Sequence, residues 1–346
     1  MQTEIISMKG DRQWQGIPAI ERAANGRLWC AFFSGGPKEP DPANHILLTT
    51  SANDVGLNGR TWSAPEVIVG AEGGVESDAT RVYDPALWHD PQGRLWLFYN
   101  RANLETRDFS VWAITTDDAT GATPRWSPPR QIALDVPFAF RLNKPTVLTD
   151  GSWLLPVTWA RQAPEGWFAR ESQLQGVAIS TDAGETWTLH GDVAAPPWAL
   201  ENMIVERRDG TLWMLIRTGA GVLWQSISDD GGRTWSAGSP TTIVNPGARF
   251  FIRRLPSGRL LLINTPDAQR RQGLYAYLSE PEDVGAEPVF GPGLALDLRD
   301  KVSYPDAVQA PDGTIYAVHD CDRGGLGEII LNVFTEEEIL AVRGGQ

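Results

Sequence analysis

The chain has 346 residues, 42% of them hydrophobic and 21% charged, which suits one large domain or two ordinary ones and excludes a disordered chain. Its formal net charge of −13, with no run of Lys and Arg, excludes the basic clusters that bind nucleic acid or an anionic membrane. No apolar run reaches the length of a membrane span, and Met1 to Lys9 lacks the basic and long apolar regions of a signal peptide. The chain as written is therefore expected to be cytoplasmic, with a trimmed secreted or periplasmic form left open.

In chain order, Thr3 to Met8 alternates enough to predict a first strand. Gly26-Arg27-Leu28-Trp29 then begins a pattern in which a turn ending in Gly leads into an apolar strand rich in Leu and Trp. It recurs at Gly93-Arg94-Leu95-Trp96, Gly151-Ser152-Trp153-Leu154, Gly210-Thr211-Leu212-Trp213, Gly258-Arg259-Leu260-Leu261 and Gly313-Thr314-Ile315-Tyr316. Successive glycines lie 48 to 67 residues apart, room for four short strands and their turns. With 15 Trp and 35 Gly, six such repeats predict an all-β fold, a six-bladed β-propeller, as a single domain over residues 1–346. Glu328 to Phe334 predicts a last strand, and one terminus is expected to complete a blade built from the other, removing an exposed edge. Thr335-Glu336-Glu337-Glu338 has the form of a capping box opening a short C-terminal helix.

A second motif, S-x-D-x-G-x-T-W, stands at Ser180 to Trp187 and at Ser228 to Trp235. A stretched copy runs from Ser51 through Asp54 and Gly59 to Trp62, a decayed one from Thr116 and Asp118 to Trp126, and Ser279 with Asp283 hints at another. The motif predicts a hairpin turn: Asp accepts backbone N–H groups, Gly takes positive φ, and Trp packs beneath. These aspartates are expected to be structural. The spacing imitates a calcium loop but lacks its downstream Glu, so no metal and no cofactor are predicted. Cys30 and Cys321 fall in the first and last repeats and are read as two free thiols.

If each inner strand runs up to its repeat Gly, residues at a fixed distance before that Gly should meet around the central axis. Nine positions back stand Asp84, Glu201, Arg249 and Tyr304, and in the third repeat, with a turn one residue shorter, Asn143 falls in register. The first repeat breaks the series with Gln15-Gly16-Ile17-Pro18. Glu, Arg and Tyr at one level predict a binding or catalytic site, because such groups are seldom buried together without purpose.

With its Asp-box (BNR) turns, the chain resembles the sialidase (neuraminidase) superfamily over essentially its whole length. Glu201-Asn202-Met203-Ile204-Val205-Glu206, ending at Leu215-Ile216-Arg217, is similar to the family segment that carries a catalytic Glu and a substrate-binding Arg. Tyr304 in Val302-Ser303-Tyr304-Pro305-Asp306 stands where the family has its nucleophile, and Arg271 resembles the third Arg of its carboxylate-binding triad, with Arg270 as a substitute. The first triad Arg precedes Ile-Pro in the family, but Gly16 holds that position here, which puts sialic acid itself in doubt. For the acid/base Asp of the family, the loop Ser34 to Asp41 offers Glu39 and Asp41; Glu39 is preferred because Gly35-Gly36 can bring backbone close to a ligand. Arg81, Lys144 and Asp306, with His319, Asp320 and Arg323, are further candidates for the pocket or its rim.

The resemblance implies an exo-acting retaining glycoside hydrolase that removes a terminal sugar from a glycan, with Tyr304 and Glu201 as nucleophile pair, Glu39 as acid, and Arg217, Arg271, Arg249, Asp84, Asn143, Arg81 and Lys144 around the substrate. A tyrosine needs a base, since its free pKa is about 10. Two alternatives stand beside it: a propeller polysaccharide lyase acting at a uronate, and a non-catalytic glycan-binding propeller.

Overall fold

In a computed structural model the chain is described over residues 1–51, 60–70, 80–140, 143–169, 172–280 and 287–342. The described residues form six antiparallel sheets and one short helix. After β1 (Gln2–Ser7), the first sheet holds β2 (Gln15–Arg22), β3 (Leu28–Ser34), β4 (His45–Thr50) and β5 (Glu66–Val69), paired in that order. The second holds β6 (Thr80–His89), β7 (Leu95–Asn103), β8 (Asp108–Thr116) and β9 (Arg130–Ile132). In the third, β10 (Phe138–Phe140) and β11 (Thr146–Val147) both pair β12 (Trp153–Ala160), followed by β13 (Leu174–Ser180) and β14 (Thr188–Val193). β15 (Leu200–Glu206), β16 (Leu212–Arg217), β17 (Val222–Ser228) and β18 (Ser239–Val244) make the fourth. β19 (Phe251–Arg254), β20 (Leu260–Asn264), β21 (Gln272–Leu278) and β22 (Leu294–Asp300) make the fifth. The sixth joins β23 (Val302–Gln309), β24 (Ile315–Cys321) and β25 (Glu328–Phe334), and β1 pairs antiparallel with β25, so the N-terminal strand completes a sheet built from the C-terminal end. The helix α1 (Glu336–Ala341) opens on the capping box, with Thr335 N–H donating to Glu338 Oε2 at 3.0 Å.

The chain divides into two compact units. The first, Met1–Ile132 with Glu165–Trp167 and Tyr304–Phe334, contains the first, second and sixth sheets apart from the first two residues of β23; the second unit contains the third, fourth and fifth. In the first unit, Ile20, Leu28, Phe32 and Leu47 pack against Val318, Ile329 and Leu331. In the second, Leu154, Val177 and Ile179 pack against Ile204, Leu212 and Ile216. Each such aliphatic side chain removed from water contributes about 1.5–3 kcal/mol.

The repeat glycines close six hairpins in one geometry. In the first, Gly26 N–H donates to Ala23 O at 2.9 Å and Ala23 N–H to Arg27 O at 2.8 Å; the same pair of bonds recurs around Gly93, Gly151, Gly210, Gly258 and Gly313. All six glycines have φ between 81° and 89°, where a Cβ is disfavoured, so the residue the turn requires is the residue the repeat displays.

The Asp-box turns are built as their sequence predicts. Asp182 Oδ1 accepts from Thr186 N–H at 2.9 Å and from Ser180 Oγ at 2.8 Å, and Trp187 Nε1 donates to Gly184 O at 3.1 Å. Asp230 and Trp235 repeat these bonds. Hydrogen bonds from Thr186 and Thr234 pull the carboxyls of Asp182 and Asp230 down to about 2. In the fainter copies Asp54, Gly59 and Asp283 lie outside the described residues, whereas Ser51 bridges Trp62 and Ser279 bridges Phe290. Cys30 and Cys321 are buried free thiols.

Candidate functional site

The register read from the sequence has a backbone counterpart. Among the described non-glycine residues with positive φ are Ile17 (58°), Asp84 (49°), Glu201 (57°) and Tyr304 (56°), each nine residues before its repeat Gly. At the first three, pairing with the next strand slips, between Gly16 and Ala19, Tyr83 and Ala86, and Leu200 and Met203. Putting a β-branched Ile or a Tyr into the left-handed region costs of order 1–3 kcal/mol and persists only where its surroundings hold it. The device re-aims one side chain at the start of each of these strands.

In the first unit, Tyr304 is buried at 7% exposure on β23, with the Arg323 guanidinium carbon 4.9 Å from its ring centroid. Arg323 lies in the turn after β24; its Nη1 donates to Glu39 Oε2 at 3.2 Å and its Nε lies 3.9 Å from Asp320 Oδ2. Asp320 is fully buried and its Oδ2 accepts the Ile17 N–H at 2.8 Å, while Asp306 accepts the Ile20 N–H at 2.8 Å. Both carboxylates thus hold the strained start of β2. Glu39 and Asp41 separate in role: Asp41 Oδ1 accepts the Ala43 N–H at 2.8 Å within its own loop, and Glu39 meets Arg323. Gly35 and Gly36 are required by that loop itself, since a Cβ would overlap the Ala43 carbonyl or the Asp41 carboxyl.

Arg81 and Asp84 also belong to the first unit. Arg81 is fully buried with its guanidinium carbon 3.7 Å from the Tyr83 ring centroid and 5.3 Å from that of Trp167. Burial pushes the Tyr83 phenol up to about 12 against the opposing pull of Arg81. Asp84 is buried at 4% exposure with Asn100 Nδ2 at 3.5 Å.

The second unit gathers four of its sequence-predicted residues into one network. Arg217 Nη1 donates to Glu201 Oε2 at 2.5 Å, the Glu201 side chain being 2% exposed and that of Arg217 11%. Asn143 Nδ2 donates to the Glu201 and Asn202 carbonyls at 3.0 Å, and its Oδ1 accepts from Arg249 Nε at 2.9 Å. Thr158, which the sequence reading did not single out, accepts the Glu201 N–H through its hydroxyl at 3.3 Å. Lys144 is buried at 1% exposure. Arg271 Nη2 donates to Gly247 O at 3.2 Å, whereas Arg270 is exposed beside Asp267. Among the described residues no group of three His, Cys, Asp or Glu side chains is placed to hold a metal ion.

Six sheets closed by one Gly-turn hairpin and interleaved with Asp boxes define a repeat class of β-proteins. The BNR repeat-like domain matches residues 26–317, most of the chain, and the protein belongs to that family. Among solved structures it is similar to the intramolecular trans-sialidase from Ruminococcus gnavus, with a TM-score of 0.72 at 16% identity, covering 96% of this chain and 97% of that one. The leech intramolecular trans-sialidase gives 0.74 at 15% identity over 99% and 71% of the two chains. A Dyadobacter fermentans protein of unknown function gives 0.69 at 17% identity over 96% and 97%. The chain therefore has the six-bladed β-propeller fold of the sialidases. Comparison with curated protein sequences finds no significant match.

Proposed function

We propose that the protein is an exo-acting retaining glycoside hydrolase that removes a terminal sugar from a glycan, with Tyr304 as nucleophile and Glu39 as acid. The observation that carries the reading is Tyr304 itself, held at φ 56° on β23 under the Arg323 guanidinium, which in turn binds Glu39. A strained, buried tyrosine beside a carboxylate and a cation is the constellation that covalent glycosyl transfer needs.

In the first step the Tyr304 oxygen gives its proton to a base and bonds to the anomeric carbon as the glycosidic C–O bond breaks. Glu39 gives its proton to the leaving oxygen; water, passing a proton back to Glu39, then cleaves the glycosyl–tyrosine bond as the base returns its proton to the phenol. Because Glu39 must carry that proton, its pairing with Arg323 has to part when substrate enters. We assign Glu201 and Arg217 to the same reaction, with Glu201 as base; that role rests on the resemblance of their segment to that of the sialidases. Arg249 and Asn143 hold the Glu201 backbone, and Arg271, Arg81, Asp84 and Lys144 are assigned to the substrate surroundings.

A panel of aryl glycosides, including those of sialic acid, rhamnose, arabinofuranose and glucuronic acid, tests the reading. Release of aryl alcohol by the protein and its loss in Tyr304→Phe are expected. Turnover unchanged in that variant would refute it, and an unsaturated product instead of a hydrolysed one would favour the lyase.

A further inference from the structure

The space at Gly16 is filled from elsewhere in the first unit. A Cβ built there would overlap Arg323 Cδ, lie 2.5 Å from Arg323 Cγ and come within 2.9 Å of Asp320 Oδ2. The missing side chain is therefore the condition for the Arg323 arm to run across the start of β2. The arm is fixed along its length: its guanidinium carbon lies 5.6 Å from the Trp14 ring centroid and 4.9 Å from that of Tyr304. Its nitrogens face two carboxylates, Glu39 at 3.2 Å and Asp320 at 3.9 Å.

A guanidinium held in this way has its charge answered inside the protein. With Glu39 protonated and released, a sugar carboxylate brought against the guanidinium would still have to compete with the fully buried Asp320 carboxylate at 3.9 Å, which opposes binding. An uncharged sugar meets no such barrier and can accept or donate hydrogen bonds at the same edge. Resting on the hydrolase reading above, we propose that Gly16 and Arg323 form one device which makes the Tyr304 site selective for a neutral terminal sugar, Arg323 positioning Glu39 within it.

The experiment compares matched pairs differing only in the carboxylate, such as aryl glucoside with aryl glucuronide, alongside the neutral rhamnoside and arabinofuranoside. The neutral member is expected to exceed its acidic partner in kcat/KM by at least about 10-fold. Gly16→Ala and Arg323→Ala are each expected to lower kcat/KM on the neutral substrate by roughly 10- to 100-fold, with the double variant no worse, since both remove the same arm. Arg323→Gln, at a position whose side chain is 22% exposed, keeps the test open should Gly16→Ala fail to fold. Preference for the acidic partner, or losses that multiply in the double variant, overturns the proposal. If no glycoside is hydrolysed the hydrolase reading fails by itself, and selectivity is read from saturation-transfer NMR with glucose, rhamnose, arabinose and glucuronate. Transfer to a neutral sugar and none to glucuronate supports the proposal; an equal or stronger response from glucuronate, or none from any sugar, overturns it.

Discussion

Replacing Glu201 by Gln changes one atom and, on shape alone, should be silent in stability. The structure argues otherwise. The Glu201 side chain is 2% exposed and its Oε2 lies 2.5 Å from Arg217 Nη1, so the amide leaves a guanidinium that is 11% exposed without its counterion. Removing one partner of a buried pair costs about 3–5 kcal/mol, and the amide, which still accepts a hydrogen bond, belongs near the lower figure. Unfolding entropy near the melting point is about 2.1 cal/mol/K per residue, or about 0.7 kcal/mol/K for a chain of this length. Glu201→Gln should therefore melt about 4 °C below wild type. Tyr304→Phe, which deletes a hydroxyl worth about 1 kcal/mol or less, should move Tm by 1–2 °C at most, by the same rough conversion. Differential scanning calorimetry of wild type, both single variants and Glu201→Gln with Arg217→Met reads the difference. The double variant should recover most of the loss, because an apolar side chain of similar length carries no stranded charge. A melting point for Glu201→Gln within about 1 °C of wild type would refute the argument that the pair is buried and coupled.

The Asp boxes give a pH signature. Their carboxyls sit below the unfolded value of 3.8, at about 2, so the stability they contribute is complete above about pH 4 and is lost as pH falls through about 2. Asp182→Asn and Asp230→Asn should lower Tm at neutral pH, and the deficit should shrink in melts taken between pH 4 and 2. A deficit that stays constant across that range would contradict the assignment. Burial pushes the Cys30 thiol well up, with the Asp306 carboxylate adding to it, so Ellman's reagent should leave Cys30 untouched in the folded protein and modify it once guanidinium unfolds the chain. Stoichiometric modification of Cys30 in the native state would contradict its burial.

The blades were legible in the sequence because a hairpin of this geometry demands φ > 0 at one position, and Gly answers that demand six times. The Asp boxes were legible for the same local reason: the Ser, Thr and Trp bonds that shape them are made within eight residues, from Ser180 to Trp187 and from Ser228 to Trp235. The nine-residue register then pointed to Asp84, Glu201 and Tyr304, and the backbone at all three is left-handed, with a bulge at Asp84 and Glu201. The first repeat looked like a break in the series, yet Ile17 adopts the same conformation; the side chain changed and the backbone did not. What stayed hidden depends on approach in three dimensions. Arg323 is separated from Glu39 by 284 positions and from Gly16 by more, and no spacing rule connects them. The Arg217 and Glu201 types were legible on a similar segment, but that they neutralise one another at 2.5 Å was not. Gly35-Gly36 signalled a tight backbone correctly, and the partner turned out to be the loop's own Ala43 and Asp41.

The most direct test of the account is to quench the protein with acid during turnover of a hydrolysed aryl glycoside and sequence its peptides by mass spectrometry. The peptide containing Val302-Ser303-Tyr304-Pro305 is expected to gain the mass of one glycosyl residue on Tyr304, and the first sugar released to keep the anomeric configuration of the substrate. Sustained turnover with an unmodified Tyr304 and an inverted product would contradict it.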